Sequence, residues 1–146
     1  MSIFFSRQCE YALQAVMYLA LKQNGHMTSI KELSLKLDIP YHFVGKILQE
    51  LAHKGLLASQ KGPTGGFTLA KPAHETSLFQ IVEAIDGTEF RNSCVLGYKQ
   101  CSGENPCTFH NEWTDLRGGI YGMLANKSLA DMARGMKKPE YGFGTL

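Results

Sequence analysis

The sequence contains no apolar run that is long enough to cross a membrane. Its best candidate, from Tyr11 to Leu21, is interrupted by Gln14 and falls short of the roughly 20 residues that span a bilayer. Residues 1–5 also lack the basic start and the small-residue cleavage site of a secretory signal. We therefore expect a cytoplasmic protein that has no membrane partner.

The sequence also lacks the motifs on which most enzyme chemistry depends. We find no nucleophile with a neighbouring base, no phosphate-binding loop and no carboxylate pair suited to acid–base catalysis. An enzyme is therefore not expected.

Neither sign of charge dominates the whole chain, but the two halves differ. Residues 1–72 hold eight Lys or Arg against four Asp or Glu, whereas residues 73–146 hold seven against nine. A basic surplus in the first half suits a nucleic-acid surface there, because Lys and Arg are attracted to phosphate.

The first half of the chain shows three helical patterns and then changes to extended segments. Ser6 can cap the first helix, and Pro40 suits the first turn of the third. Extended segments flank a glycine-rich turn at residues 62–66, which predicts a β-hairpin. Helices are predicted at about residues 7–22, 29–37, 40–54 and 78–86. This order of elements predicts a winged helix-turn-helix, in a mainly α fold with a small β-hairpin wing.

The second half contains an irregular polar loop and then a long helix, which opens at Pro106 or Thr108. One side of this helix is typical of a core contact or a dimer seam and carries Trp113, Leu116, Ile120, Met123 and Leu124. We divide the chain into a DNA-binding domain at residues 1–87, a cysteine loop at 88–106, a C-terminal dimerisation helix at 107–135 and a flexible tail at 136–146.

The predicted third helix and the hairpin supply the side chains that we expect to bind double-stranded DNA. A helix can enter the major groove, while a hairpin tip can reach the flanking backbone or the minor groove. We also expect Lys54 on the exposed face of the helix, with Gly45 bringing the backbone close to whatever it faces. The alternatives are a helical hairpin of a non-DNA domain and a turn that only reverses the chain. The candidate DNA-binding residues are Ser29, Tyr41, His42, Phe43, Lys46, Gln49, Lys61, Gly62, Pro63, Thr64, Gly65 and Gly66.

Three of the four cysteines, Cys94, Cys101 and Cys107, fall within fourteen residues, whereas Cys9 stands alone. In a reducing compartment, such cysteines serve as metal ligands or reactive thiols more often than as disulfides. The gaps are wider than those of paired zinc knuckles and suit a loop around a larger cofactor, such as an iron–sulfur cluster. Free thiols in a polar loop are the alternative. Cys9 is expected to be a partly buried small residue.

Several segments resemble the family of regulators that includes IscR, NsrR, RirA and CymR. The resemblance spans about residues 6–125 and implies a homodimeric winged-helix regulator, which would match a pseudo-palindromic operator. The segments that carry it are Cys9 to Leu13, Tyr18 to Ala20, Ile39 to Leu57 with its Lys46-Ile47-Leu48-Gln49-Glu50-Leu51 run, the wing from Gly62 to Phe67, and Ile81 to Gly87.

The three-cysteine loop is similar to that of the cluster-binding subset of this family, which implies a [2Fe–2S] cluster or, as the less favoured form, a [4Fe–4S] cluster. We therefore expect a regulator that senses redox state, nitric oxide or iron–sulfur status. The alternative is a thiol-only or cofactor-free regulator whose cysteines sense redox state. Two features depart from the family pattern: the first cysteine gap is six residues instead of five, and Gly45 stands where family members can carry an acidic base-reading residue.

A cluster held by three cysteines needs a fourth ligand or an open position. His110 lies three residues after Cys107, so on the opening turn of the long helix its ring could point the same way. Glu10 aligns with the position from which nitric-oxide-sensing relatives supply a carboxylate across the subunit interface. Local spacing favours His110, and Glu10 is the alternative.

Overall fold

The computed structural model describes residues 4–22, 27–88 and 93–135, so the predicted tail and residues 89–92 of the predicted cysteine loop lie outside the described residues. The elements are α1 (Arg7–Leu21), α2 (Ile30–Leu37), α3 (Tyr41–His53), β1 (Leu57–Gln60), β2 (Gly66–Leu69), α4 (Leu78–Asp86), α5 (His110–Asn126) and α6 (Leu129–Gly135), with a short 3₁₀ turn (Ala73–Glu75) before α4. The predicted fold class is confirmed. Within the described ranges, no helix is both long and apolar enough to cross a membrane.

Helix α1 lies at the centre of the core. The predicted cap is confirmed, since Ser6 Oγ accepts a hydrogen bond from the Cys9 amide at 3.1 Å. Every side chain from Ala15 to Ala20 is at most 5% exposed, and α2, α3, α4, α6 and β2 all pack against the helix. A helix that is apolar on nearly all sides requires such surroundings, because each side must be removed from water.

Helices α2 and α3 form the helix-turn-helix. Ser29 caps α2, and Asp38 ends it in the left-handed conformation, with φ of 54°. Pro40 precedes the first residue of α3 and is its N-cap. The inner face of α3 carries the buried Val44, Ile47, Leu48 and Leu51, which leaves its opposite face in solvent.

The wing is a two-stranded antiparallel hairpin that is hydrogen-bonded to the start of α2. Strand β1 pairs with β2 from Leu57 opposite Leu69 to Gln60 opposite Gly66. Thr28, which is 1% exposed, exchanges two backbone hydrogen bonds with Phe67, at 2.9 and 2.8 Å. The wing is therefore joined through its backbone to the residues that open α2.

The segment predicted as one helix over residues 107–135 contains two helices. Helix α5 begins at His110, later than either Pro106 or Thr108, and α6 begins at Leu129. Ser128 and Asp131 exchange hydrogen bonds of 3.1 Å, a capping box that starts a new helix, and Ser128 pairs with Ser77 in an isolated bridge. The chain thus turns at residues 127–128, and α6 returns to pack against α1.

We expect Gly66→Ala to lower the free energy of unfolding by about 2 kcal/mol or more, because a Cβ there would lie 2.3 Å from the Thr28 carbonyl oxygen. Gly62→Ala is the matched control in the same turn, since Gly62 also has a positive φ but nothing lies within 4 Å of its added Cβ. That control should cost only about 1 kcal/mol for the unfavourable backbone conformation. Urea unfolding of both variants checks this, and equal losses would contradict the steric argument.

Candidate metal centre and nucleic-acid interface

The irregular segment between α4 and α5 brings three distant cysteines together. No helix or strand is present from residue 93 to 109. Gly97, with φ of 81°, donates its amide to the Cys94 carbonyl, and Ser102 and Asn105 exchange backbone hydrogen bonds in a second turn. These turns place the Sγ atoms of Cys94, Cys101 and Cys107 within 4.8 Å of one another.

His110 joins this group from the first turn of α5. Its Nδ1 lies 3.3 Å from Cys101 Sγ, while Cys94 Sγ lies 3.6 Å from Cys107 Sγ. A cavity of about 350 Å³ opens beside these side chains. Glu10 lies on the first turn of α1 and is not among the described residues that line this cavity.

The local environment shifts the acidity of two of the thiols. Partial desolvation acts to raise the pKa of Cys94, but hydrogen bonds from the amides of Leu96 and Tyr98 and from the neighbouring thiols lower that pKa to about 7. Desolvation and the thiol of Cys101 raise the pKa of Cys107. Cys94 therefore forms a thiolate more readily than Cys107 near neutral pH.

Cys9 is separate from this group and has the opposite character. Its side chain is 0% exposed, which is more buried than the sequence predicts. Burial, followed by the charge and hydrogen bond of Asp86, raises the pKa of the Cys9 thiol to about 12. Cys9 is thus an apolar core residue at neutral pH.

Three further side chains of α5 that the sequence did not indicate as part of the site line the cysteine cavity. They are Trp113, Thr114 and Arg117, of which Trp113 and Arg117 lie one and two turns along α5 from His110. Trp113 is assigned from the sequence only to the apolar side of the helix. The four-residue spacing from Trp113 to Arg117 was the signal available, because it places both on one face.

The exposed face of α3 carries most of the side chains predicted to contact DNA. Tyr41 is 59% exposed and Phe43 39% exposed, and His42, Lys46 and Gln49 are also exposed. A groove of about 650 Å³ separates this helix from the wing. The predicted residues that line it are Ser29, Tyr41, Gln49, Lys61, Gly62, Gly65 and Gly66, whereas Pro63 and Thr64 are exposed at the wing tip.

One expectation for α3 is wrong. Gly45 is buried and faces α2, where an added Cβ would lie 3.4 Å from Ile30 Cδ1, so it serves helix packing. Lys54 is exposed, as expected, but it is the C-cap of α3, and it donates to the carbonyl of Ala84 at the end of α4 and pairs with Glu50. Lys31 and His53, which the sequence did not indicate, also line the groove.

A capped helix-turn-helix with one face in solvent, beside a glycine-tipped hairpin that is hydrogen-bonded to it, defines a winged helix-turn-helix protein. The model of the Rrf2 family, described as an iron-dependent transcriptional regulator, matches residues 5–135. The chain belongs to the Rrf2 family and is a DNA-binding regulator of transcription, not an enzyme.

Individual relatives agree with this assignment. The chain is 32% identical over 132 residues to an HTH-type transcriptional regulator of Aquifex aeolicus, covering 89% of this chain and 91% of that protein. It is 30% identical over 122 residues to the regulator IscR of Serratia proteamaculans, covering 84% and 74%. Among solved structures, it resembles CymR of B. subtilis (TM-score 0.78, 20% identity, 93% and 100% covered) and IscR of T. potens (TM-score 0.74, 20% identity, 94% and 89% covered).

In the metal-free native protein, we expect a maleimide to label Cys94, Cys101 and Cys107 but not Cys9, because only Cys9 is fully buried and holds its proton tightly. Mass spectrometry of the intact and digested protein measures the labelling, and unfolding in urea should add the fourth label. Labelling of Cys9 in the native protein at the rate of Cys94 would contradict its burial.

Proposed function

We propose that this chain is a cytoplasmic regulator whose affinity for DNA depends on an iron–sulfur cluster bound by Cys94, Cys101, Cys107 and His110. The signal is the cluster's redox state, its reaction with nitric oxide or its loss when iron is scarce. The observation that carries the proposal is the approach of the three Sγ atoms to within 4.8 Å, with a histidine nitrogen 3.3 Å from one of them.

The donors fit an iron–sulfur centre in kind and in spacing. Thiolate and imidazole are ligands that iron clusters accept. Two sulfurs on one tetrahedral metal, with bonds of about 2.3 Å, are separated by roughly 3.8 Å, and Cys94 Sγ and Cys107 Sγ are 3.6 Å apart. Cys101 and His110 form a second close pair. This two-plus-two pairing supports a [2Fe–2S] cluster over a [4Fe–4S] cluster.

When bound, the cluster would supply reversible redox chemistry and a reaction site for nitric oxide. The protein's own residues determine how its state reaches DNA. The cysteine segment, residues 93–109, ends directly at α5. Tyr121 of α5 packs edge-on against Phe79 of α4, and α4 in turn packs against α3. A change in the cysteine segment can therefore alter how the recognition helices are held.

A thiol-only sensor is the second candidate. The 3.6 Å approach of Cys94 Sγ to Cys107 Sγ favours it, because the two thiols could form a disulfide after a small movement. An oxidant such as diamide would take two electrons and two protons from this pair. Under this alternative, anaerobically purified protein is colourless, and diamide alone changes its affinity for DNA.

We propose that α5 forms the seam of a homodimer, which would match a pseudo-palindromic operator. On the apolar side of α5, Leu124 is buried in the core, whereas Leu116 is 63% and Met123 56% exposed. These two exposed side chains, which lie about two helical turns apart in the same stripe, support a second copy as the partner of this face.

We expect Cys94→Ala, Cys101→Ala and Cys107→Ala each to lower the bound iron and sulfide by at least about tenfold, since loss of even an outer-shell partner has effects of that size. Cys9→Ala is the control and should keep the parent's iron, sulfide and visible absorption. Metal analysis of anaerobically purified protein measures this. Zinc in place of iron, or equal loss in the Cys9 variant, would contradict the proposed ligand set.

The fourth ligand is tested by comparing His110→Ala with Glu10→Ala, both prepared anaerobically. With His110 as the ligand, its removal should change the visible spectrum and speed cluster loss, because the imidazole nitrogen beside Cys101 is gone. Glu10→Ala should then resemble the parent protein. The reverse pattern would assign the ligand to Glu10 of a second subunit.

We expect Lys61→Ala to weaken binding to specific and random duplexes by similar factors, because an exposed wing cation contributes charge instead of base reading. The slope of log affinity against log salt should fall by about one. Lys71→Ala removes the same charge from an exposed position outside the groove and should leave the slope unchanged. A loss confined to one DNA sequence would contradict the phosphate role.

A further inference from the structure

The first described residue of the cysteine segment is held on α5 by two side chains. The backbone carbonyl oxygen of Ser93 accepts a hydrogen bond from Trp113 Nε1 at 2.7 Å and another from Arg117 Nη1 at 2.7 Å. A carbonyl oxygen has two lone pairs, so it can accept both donors at once. Both bonds are short, and Ser93 immediately precedes Cys94.

The two donors lie on one face of α5, and Trp113 has a further contact. The Trp113 ring stacks on Phe4, with centroids 6.3 Å apart and planes 9° apart. Arg117 lies four residues after Trp113, one helical turn further along α5, so both reach the same carbonyl from one helix face. The position of Cys94 is thus set by α5 as well as by the turn at Gly97.

Arg117 also lines the cavity beside the cysteines. Among the described residues that line this cavity, Arg117 is the one Lys or Arg side chain.

We propose that Arg117 is a positioning residue of the cysteine site, which acts with Trp113 through the Ser93 carbonyl to preset Cys94 for metal binding. This inference rests on the proposed cluster site. Its first test uses the metal-free protein, so the Ser93 contact can be judged even if no cluster binds.

The first experiment uses Trp113, the only tryptophan in the chain, as the probe. In metal-free protein, Arg117→Met should shift the tryptophan emission to the red and raise quenching by acrylamide, because the cysteine segment is released from the indole. Arg117→Lys, which keeps one donor and the charge, should largely restore the parent's values. Arg134→Met removes the same charge from an exposed position of α6 and should change neither. Unchanged emission and quenching in Arg117→Met would overturn the proposal.

The second experiment measures the rate of cluster loss to an iron chelator after anaerobic reconstitution with iron and sulfide. Arg117→Met should lose its cluster about tenfold faster than the parent, as outer-shell partners of metal sites do. Trp113→Phe keeps an aromatic ring beside Phe4 but removes the indole donor, and it should also accelerate loss. It supplies the answer if Arg117→Met does not fold. If the variants lose their cluster at the parent's rate, the proposal is overturned. If the parent itself takes up no iron, the proposed function is overturned, and the first experiment then decides whether Arg117 positions the cysteine segment.

Discussion

The burial of α1 on nearly all of its sides is the constraint on which the other contacts depend. A helix with six consecutive buried side chains needs neighbours in every direction, and these are supplied from both halves of the chain. Tyr18 and Lys22 near its end both donate to Glu32, which joins α1 to α2 and lowers the pKa of that carboxyl. At its start, Ser6 and Asp86 join it to α4. Helix α3 and the C-terminal helix α6 therefore pack against the same central helix.

Local sequence signals were sufficient for most of the fold. Ser6 caps the first helix as predicted, and the glycine-rich turn forms the wing. The prediction of a single helix over residues 107–135 was wrong because an apolar period can continue across a change of helix. The Ser128-Leu129-Ala130-Asp131 capping box was visible in the sequence. The backbone bridge from Ser128 to Ser77 was not, because the two residues are far apart along the chain.

The residues of the candidate metal centre could be predicted from the sequence, but the hydrogen bonds that position them could not. Cysteine spacing indicated the three thiols, and the step of three residues from Cys107 indicated His110. Gly45 is buried and not exposed on α3, and its spacing of three residues before the apolar Leu48 was the signal that placed it on the inner face. The Ser93 carbonyl could not be found from sequence at all, since any residue type offers a backbone oxygen. Only the three-dimensional structure shows that Trp113 and Arg117 both donate hydrogen bonds to that oxygen.

In the helix-turn-helix and wing, the exposed residues and the sterically constrained residues occupy different positions. This difference affects how the DNA sequence that such a regulator binds can change in evolution. Tyr41, Lys46 and Gln49, which we propose as contacts to DNA, project into solvent, so substitutions there come at little cost to folding. Gly66, by contrast, lies against the Thr28 carbonyl and holds the wing in its angle to α2. A gene duplicate could therefore acquire a new operator sequence through a few changes on α3 while its docking geometry stays the same. Regulators of this architecture can multiply within a genome without rebuilding their core.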